Sequence, residues 1–245
     1  MDNYSRVKIM IEEKQYHTAN CMLCAAPLLY SQTSIEKKCE ICLESQITNV
    51  FCENDHFICD ICHQADAMET IESFCAKTDL KDPIEILEKV MQFPQIKMHG
   101  PEHHFLVPAA IVTALKNNGH LVSKSYLREI KLRATKVPGG TCGFWGTCGA
   151  AVGVGIAFSV FFHASPKTKK ERKIALHSTS VALDAIADGT EQCCKRASRL
   201  AIETACDLLA SEHGIKIPCN KSIPCDYTKI NPRCNLQACS FYNPA

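Results

Sequence analysis

The residues of this chain equipped for chemistry are its seventeen cysteines, which fall into groups with histidines and glycines. The first group runs Cys21-x2-Cys24, Cys39-x2-Cys42, then Cys52, His56, Cys59 and Cys62. Two thiolates separated by two residues on one tight turn reach the same metal ion, and eight such ligands match two tetrahedral zinc ions. Two pairings are open. A sequential one puts Cys21, Cys24, Cys39 and Cys42 on one ion and Cys52, His56, Cys59 and Cys62 on the other. A crossed one, which we prefer, joins Cys39 and Cys42 to Cys59 and Cys62, and Cys21 and Cys24 to Cys52 and His56. So small a module has little core and depends on its metal for folding.

A second group surrounds the loop from Gly139 to Gly149, where Cys142 and Cys148 sit among glycines and the only tryptophan, Trp145. Glycine lets backbone approach a ligand closely, so Gly139 and Gly140 are candidate cofactor contacts. The apolar run from Ala150 to Phe162 follows. A helix starting there offers free amides and a positive dipole end, which would lower the pKa of a nearby thiol. Cys193 and Cys194 open a later helical stretch, followed by Lys195 and Arg196. Neighbouring helical residues differ by about 100° in direction, so only one of the two cysteines faces the glycine loop. His103 and His104 can ligate metal or move protons. Together Cys142, Cys148, Cys193, Cys194, His103 and His104 are candidate catalytic residues converging on one pocket.

A third group, Cys219, Cys225, Cys234 and Cys239, lies in a tail with Pro218, Pro224, Pro232 and Pro244. A proline-rich segment without periodicity makes no core of its own, so these four are expected to bind a cofactor, a [4Fe–4S] cluster ahead of zinc.

Composition sets limits on the partners. Net charge is +1 with both signs interleaved along 245 residues, so no bulk nucleic acid is expected. The opening Met1-Asp2-Asn3-Tyr4-Ser5 lacks a basic start and an apolar stretch, which leads us to expect a cytoplasmic protein without a signal peptide. There thiols stay reduced and Cys-x2-Cys reads as metal or redox chemistry. No charged side chain falls between Lys136 and Lys167, but only about a dozen of those residues are strongly apolar, too few for a span. A buried core helix is expected there, and no membrane.

The elements that must position these groups are mainly helices. Met1 to Asn20 reads as a short helix or strand, and Asp66 to Ala76 as a helix. Asp82 caps a clearer one with Pro83 at its first position and Ile84, Leu87, Val90 and Met91 on one face. It is expected to bridge two domains, with a boundary near Gln95. A helix started by Pro108 runs to Lys116, with the histidine pair just before it. Ser123 to Thr135 turns Tyr126, Leu127, Ile130 and Leu132 inward. The charged run Lys167 to Lys173 opens a helix at its solvated end, and Thr190 caps a long one through His213. The expected fold is mainly α, with a small N-terminal zinc-ribbon or RING-like module of treble-clef type. The domains are 1–77 for the zinc module, 78–97 for a helical linker and 98–245 for a helical domain.

Two resemblances add to this reading. Cys39 to Cys42 and Asp55 to Cys62 resemble the first six ligand positions of a RING finger, which crosses its pairs; the last RING pair is missing, since only Cys75 lies close downstream and Cys21 with Cys24 lies upstream instead. Nearly the whole chain resembles an uncharacterised prokaryotic family, domain of unknown function 5714. The motifs that carry this are Asp55-His56-Phe57-x-Cys59-Asp60-x-Cys62, His103-His104-x-Leu106-Val107-Pro108, Gly139 to Gly146, Cys193-Cys194-Lys195-Arg196, and Cys234-x4-Cys239-x-Phe241-Tyr242. The resemblance implies an architecture, which some relatives carry beside a methyltransferase domain. The function expected is that of a metalloprotein with structural zinc and an iron–sulfur or reactive-thiol site for redox or sulfur-transfer chemistry on a small-molecule or sulfur substrate. Its zinc module would dock another protein. The alternative is a non-enzymatic zinc-binding adaptor, or an accessory partner of a methyltransferase or of RNA.

Overall fold

The computed structural model describes residues 20–189 and 191–244. The expected element in the first twenty residues therefore lies outside the described residues, apart from Asn20, as does the expected cap Thr190.

Two antiparallel strands, β1 (Leu28–Lys38) and β2 (Ser45–Cys52), pair from Leu28↔Cys52 to Lys38↔Ser45. The register shifts between Tyr30 and Ile35, a bulge that bends the hairpin. All further regular structure among the described residues is helical: α1 (Asp60–Gln64), α2 (Ala67–Lys77), α3 (Pro83–Met91), α4 (Glu102–Asn117), α5 (Tyr126–Ala134), the single turn α6 (Thr141–Phe144), α7 (Gly149–Phe161), α8 (Lys169–Ala187), α9 (Cys194–His213), and a short 3₁₀ turn at Leu236–Ala238.

The caps follow the sequence. Asp66 accepts the Glu69 amide while Glu69 reaches back to the Asp66 amide, a reciprocal box that starts α2. Asp82 Oδ1 accepts the Ile84 amide at 2.7 Å ahead of Pro83. Gly214, with φ of 66°, ends α9 in the left-handed conformation. Thr168 stands ahead of α8, whose opening lysines are exposed as expected.

The organising helix is α4. It packs against α2, α3, α5, α7 and α9, and every residue from Glu102 to Leu115 is buried. A helix apolar on all sides belongs in the middle of a core. It begins two turns earlier than the proline suggested: Pro101 stands at its cap, and Pro108 lies inside it. Pro108 removes one amide bond to the His104 carbonyl, a loss tolerated because the surrounding helices hold α4 on every side. His103 and His104 thus belong to its first turn.

The helix α3 is packed into the core. Ile84, Ile86, Leu87, Val90 and Met91 are at most 2% exposed, and they join one continuous core that runs from Cys39, Ile41 and Phe57 through α2 and α4 to Leu209 on α9. In α5, Tyr126, Leu127, Ile130 and Ala134 face inward, but Leu132 is 58% exposed; two residues past Ile130 places it on the opposite face of a helix.

The glycines of α7 allow close helix contact on two sides. A Cβ at Gly153 would lie 2.8 Å from the Pro108 ring on α4, and one at Gly155 would lie 1.9 Å from Thr179 Oγ1 on α8. Replacing Gly153 by Ala gains about 1 kcal/mol of helix propensity and loses about 1–3 kcal/mol to overpacking. Since a proline ring has no rotamer to retreat into, the loss should win. A lowered urea midpoint with an unchanged m-value is expected; a raised midpoint would show that α7 and α4 are less tightly apposed.

Candidate metal and thiol centres

The hairpin decides the pairing of the N-terminal ligands. Cys39 and Cys42 occupy the turn that joins β1 to β2, while Cys52 stands at the far end of β2, across from Leu28. The knuckle of Cys21 and Cys24, preceding β1, therefore meets Cys52 and His56. Cys59 and Cys62, flanking the start of α1, meet the turn. The resulting groups are Cys21, Cys24, Cys52, His56 and Cys39, Cys42, Cys59, Cys62, each with its ligand atoms within 4.8 Å of one another. This is the crossed arrangement.

The spacing fits a tetrahedral ion. Bonds of about 2.3 Å to sulfur put neighbouring sulfurs about 3.8 Å apart. Cys42 and Cys59 are 3.8 Å apart and Cys24 and Cys52 3.9 Å. His56 turns Nδ1 to the site, 3.3 Å from Cys24 Sγ and 3.5 Å from Cys52 Sγ. The outer contacts are those of ligating thiolates: the His56 amide donates to Cys52 Sγ at 3.3 Å, the Cys59 amide to Cys39 Sγ at 3.4 Å, and Asn54 Nδ2 to Cys24 Sγ at 3.5 Å. The Ala26 amide, with Asn54, lowers the Cys24 thiol to about 6, and burial raises that of Cys62. A divalent ion would favour the thiolate at both.

The remaining cysteines divide in a way that spacing alone did not determine. The four cysteines Cys142, Cys148, Cys193 and Cys194 line one cavity of about 500 Å³, with Gly143, Gly146 and Arg196. Gly139 and Gly140 do not line it. Gly140 instead has φ of 83° ahead of α6, and its carbonyl accepts the amides of Gly143 and Phe144, so its role is to turn the chain. The same loop leaves Phe144 and Trp145 mostly exposed.

Within the cavity, Cys194 lies near Cys148, Cys193 and Cys142. Cys193 also lies near Cys225 and Cys239, and with Cys234 these line a second, smaller cavity. Cys193 and Arg196 thus border both cavities, while Cys194 lines only the first. Cys219 stands apart from the tail group, beside Cys206 on α9, because the Asn220 amide ties this segment to Asp82 Oδ2 at 2.6 Å.

The thiol pKa values run against the expectation drawn from the helix start. Cys148 caps α7, and the amides of Ala150 and Ala151 do lower its pKa, but burial outweighs them and the net shift is upward. Burial likewise pushes Cys194 up to about 11. Desolvation of a thiolate here exceeds what the helix end returns.

The two histidines differ in surroundings. His104 Nδ1 lies 3.0 Å from the Val137 carbonyl; a carbonyl only accepts, so Nδ1 carries the proton and Nε2 keeps its lone pair. That edge of the ring abuts Gly149, where a Cβ would lie 2.2 Å from Nε2, next along the chain to Cys148. His103 is 1% exposed, with Nδ1 at 3.1 Å from the Gly100 carbonyl and Nε2 without a hydrogen-bond partner. Burial, then Lys195, lower its pKa to about 3, so its 3.6 Å approach to Glu102 is no ion pair at neutral pH.

Sequence reasoning did not single out Arg199. Buried to 1% exposure, it makes a two-point ion pair with Glu88 of α3 at 2.5 and 2.7 Å, and its guanidinium stands over the Phe241 ring. An arginine inside an otherwise amphipathic stretch gives no local sign that its partner lies on a helix 111 residues away.

Fold and sites together define a mainly helical, cysteine-rich protein with two Cys/His quartets suited to metal ions. Residues 71–242 match the family described as of unknown function, DUF5714, and the chain belongs to that family. No curated protein and no solved structure matches it. No helix among the described residues is long and apolar enough to cross a membrane.

Proposed function

We propose that this is a cytoplasmic metalloprotein, stabilised by two structural zinc ions, whose working centre is the cavity of Cys142, Cys148 and Cys194. There three thiols bind an iron–sulfur cluster used in redox or sulfur-transfer chemistry. The observation that carries the reading is the convergence of these thiols, from the glycine loop and the start of α9, on a cavity of about 500 Å³ with Cys142 exposed to solvent. Bound by three cysteines, such a cluster leaves one iron free for a small-molecule or sulfur substrate. The chain's own part is to hold the thiols in place. The Gly100 backbone lies close to Cys194, Cys148 is held at the start of α7, and the His104 ring packs against Gly149, the next residue along the chain. Zinc is supported at the N-terminal quartets by the Cys/His donor set and the tetrahedral spacing. All seventeen thiols being unpaired supports a reducing compartment.

A second reading, a zinc-binding adaptor for a protein, a methyltransferase or RNA, draws on the hairpin, where Tyr30 and Ile47 are 74% and 70% exposed. Metal analysis separates the two. Protein purified without oxygen should contain iron and acid-labile sulfide with broad visible absorption, lost on Cys142→Ser or Cys194→Ser while the N-terminal zinc stays. Zinc without iron after anaerobic reconstitution would remove the cluster and favour the adaptor.

A further inference from the structure

From Ile215 to Pro244 the chain has no helix or strand except the 3₁₀ turn at Leu236–Ala238, yet it lies in a defined path along α9. Ile215, Ile217, Ile223 and Tyr227 pack half-buried against the core, but beyond Tyr227 only Asn231 and Phe241 are buried. Two buried side chains do not offset the conformational entropy of the residues from there to the end of the tail, at about 1 kcal/mol or more each. Something else must fasten the tail.

Four cysteines meet where it needs fastening. Cys193, at the cap of α9, faces Cys225, Cys234 and Cys239 of the tail across one enclosed cavity. Each end of the tail is drawn to this point: the Cys225 amide donates to the Phe241 carbonyl at 2.9 Å, and the Cys239 amide donates to the Leu236 carbonyl at 2.8 Å. The sulfurs carry the N–H contacts typical of metal-bound thiolates. Cys193 Sγ accepts from the Arg196 amide and from Asn231 Nδ2, both at 3.4 Å, and Cys234 Sγ accepts from the Leu236 amide at 3.4 Å. The Arg199 guanidinium lies close to Cys225. Nearby, the Lys195 ammonium is buried without a hydrogen-bond partner, above the Tyr227 ring. Four thiolates around one divalent ion leave a net charge of −2, and these cations offset it.

We propose that Cys193, Cys225, Cys234 and Cys239 form a third metal centre, a closed four-thiolate site for a single divalent ion of the zinc type that staples the tail to α9. The size of the cavity selects an ion over a cluster. Its volume is about 10 Å³, on the scale of one water molecule, whereas the adjoining thiol cavity, which Cys193 also lines, has about 500 Å³. The expectation of a cluster on Cys219, Cys225, Cys234 and Cys239 is thereby replaced in both ligand set and cofactor. No three of these sulfurs lie within 4.8 Å of one another, as those of the N-terminal quartets do, so the proposed site closes only as the ion draws the tail inward.

The test is zinc content of the full chain by native mass spectrometry, paired with hydrogen exchange. Wild type should hold three zinc ions. Cys225→Ser and Cys239→Ser should each hold two and show faster exchange at residues 225–242, with α4 amides still protected. Cys219→Ser and Cys142→Ser should keep all three. Protected α4 amides distinguish loss of the site from loss of the fold. Should either tail variant fail to fold, the wild-type count decides. Two zinc ions in wild type, three in Cys225→Ser, or a zinc ion lost from Cys219→Ser would overturn the proposal. So would loss of iron in place of zinc from the tail variants. None of these outcomes depends on whether iron occupies the cavity of Cys142, so the two readings stand or fall separately.

Discussion

Replacing Cys59 by Ser should reduce the metal content by one ion and unfold the segment from Cys39 to Cys62, with further destabilisation of the helical body. The segment's own apolar content is small: Ile41 and Phe57 are its buried non-cysteine hydrophobes. Structural zinc sites in small modules hold apparent binding energies of about 10–16 kcal/mol, so a bound ion, and not this pair, would account for the fold. The effect should spread, because Ile41, Phe57 and Cys62 share one core with Ile71, Phe74 and α4. That sharing also means the module is not cleanly separable after Lys77, since α2 packs against α4 and α5. Serine at Cys24, which is exposed and belongs to the other quartet, should cost one ion while leaving the helical body intact. Native mass spectrometry counts the ions, and hydrogen exchange at α2 and α4 reads the spread. An unchanged count in Cys59→Ser would rule that residue out as a ligand.

How much of this was legible in the sequence depended on the range of the interaction. The Cys/His quartets were legible because tetrahedral coordination imposes short spacings, and the preference for crossed pairing agrees with a hairpin that keeps Cys39 away from Cys21. The local cap Asp82 was legible for the same reason, and so was the helix that Asp66 opens. The centrality of α4 was not, because Pro108 reads as a helix start whenever its surroundings are unknown; only packing on all sides makes an internal proline affordable. The rule that neighbouring helical residues point about 100° apart implied that only one of Cys193 and Cys194 would face the glycine loop, yet both line the cavity with Cys142 and Cys148. It could not say that Cys193 would also meet the tail cysteines. Spacing likewise grouped Cys219 with the tail cysteines, since nothing local announces the bond from the Asn220 amide to Asp82.

The longest-range feature should also give one of the largest single-residue effects. Glu88→Ala leaves the Arg199 guanidinium, 1% exposed, without its carboxylate. Burial works against the Arg199 charge while pairing with Glu88 holds its pKa above the ordinary value; the variant loses that pairing, but a guanidinium does not give up its proton in a protein, so the cation stays charged. Removing one partner of a buried pair costs about 3–5 kcal/mol, because the other charge remains desolvated. For a chain of this size that corresponds to a fall in Tm of about 6–20 °C. Replacing both residues by apolar ones, Glu88→Leu with Arg199→Met, should recover much of the loss, as the desolvation penalty disappears with the charge. Recovery should stay incomplete, since Arg199 also touches Cys225 and the Phe241 ring and the double variant gives up those contacts with the tail. Thermal unfolding of the two single variants and the double variant gives the coupling directly. A loss below about 1 kcal/mol in Glu88→Ala would mean the pair behaves as a surface ion pair, and α3 and α9 would then be joined by apolar packing alone.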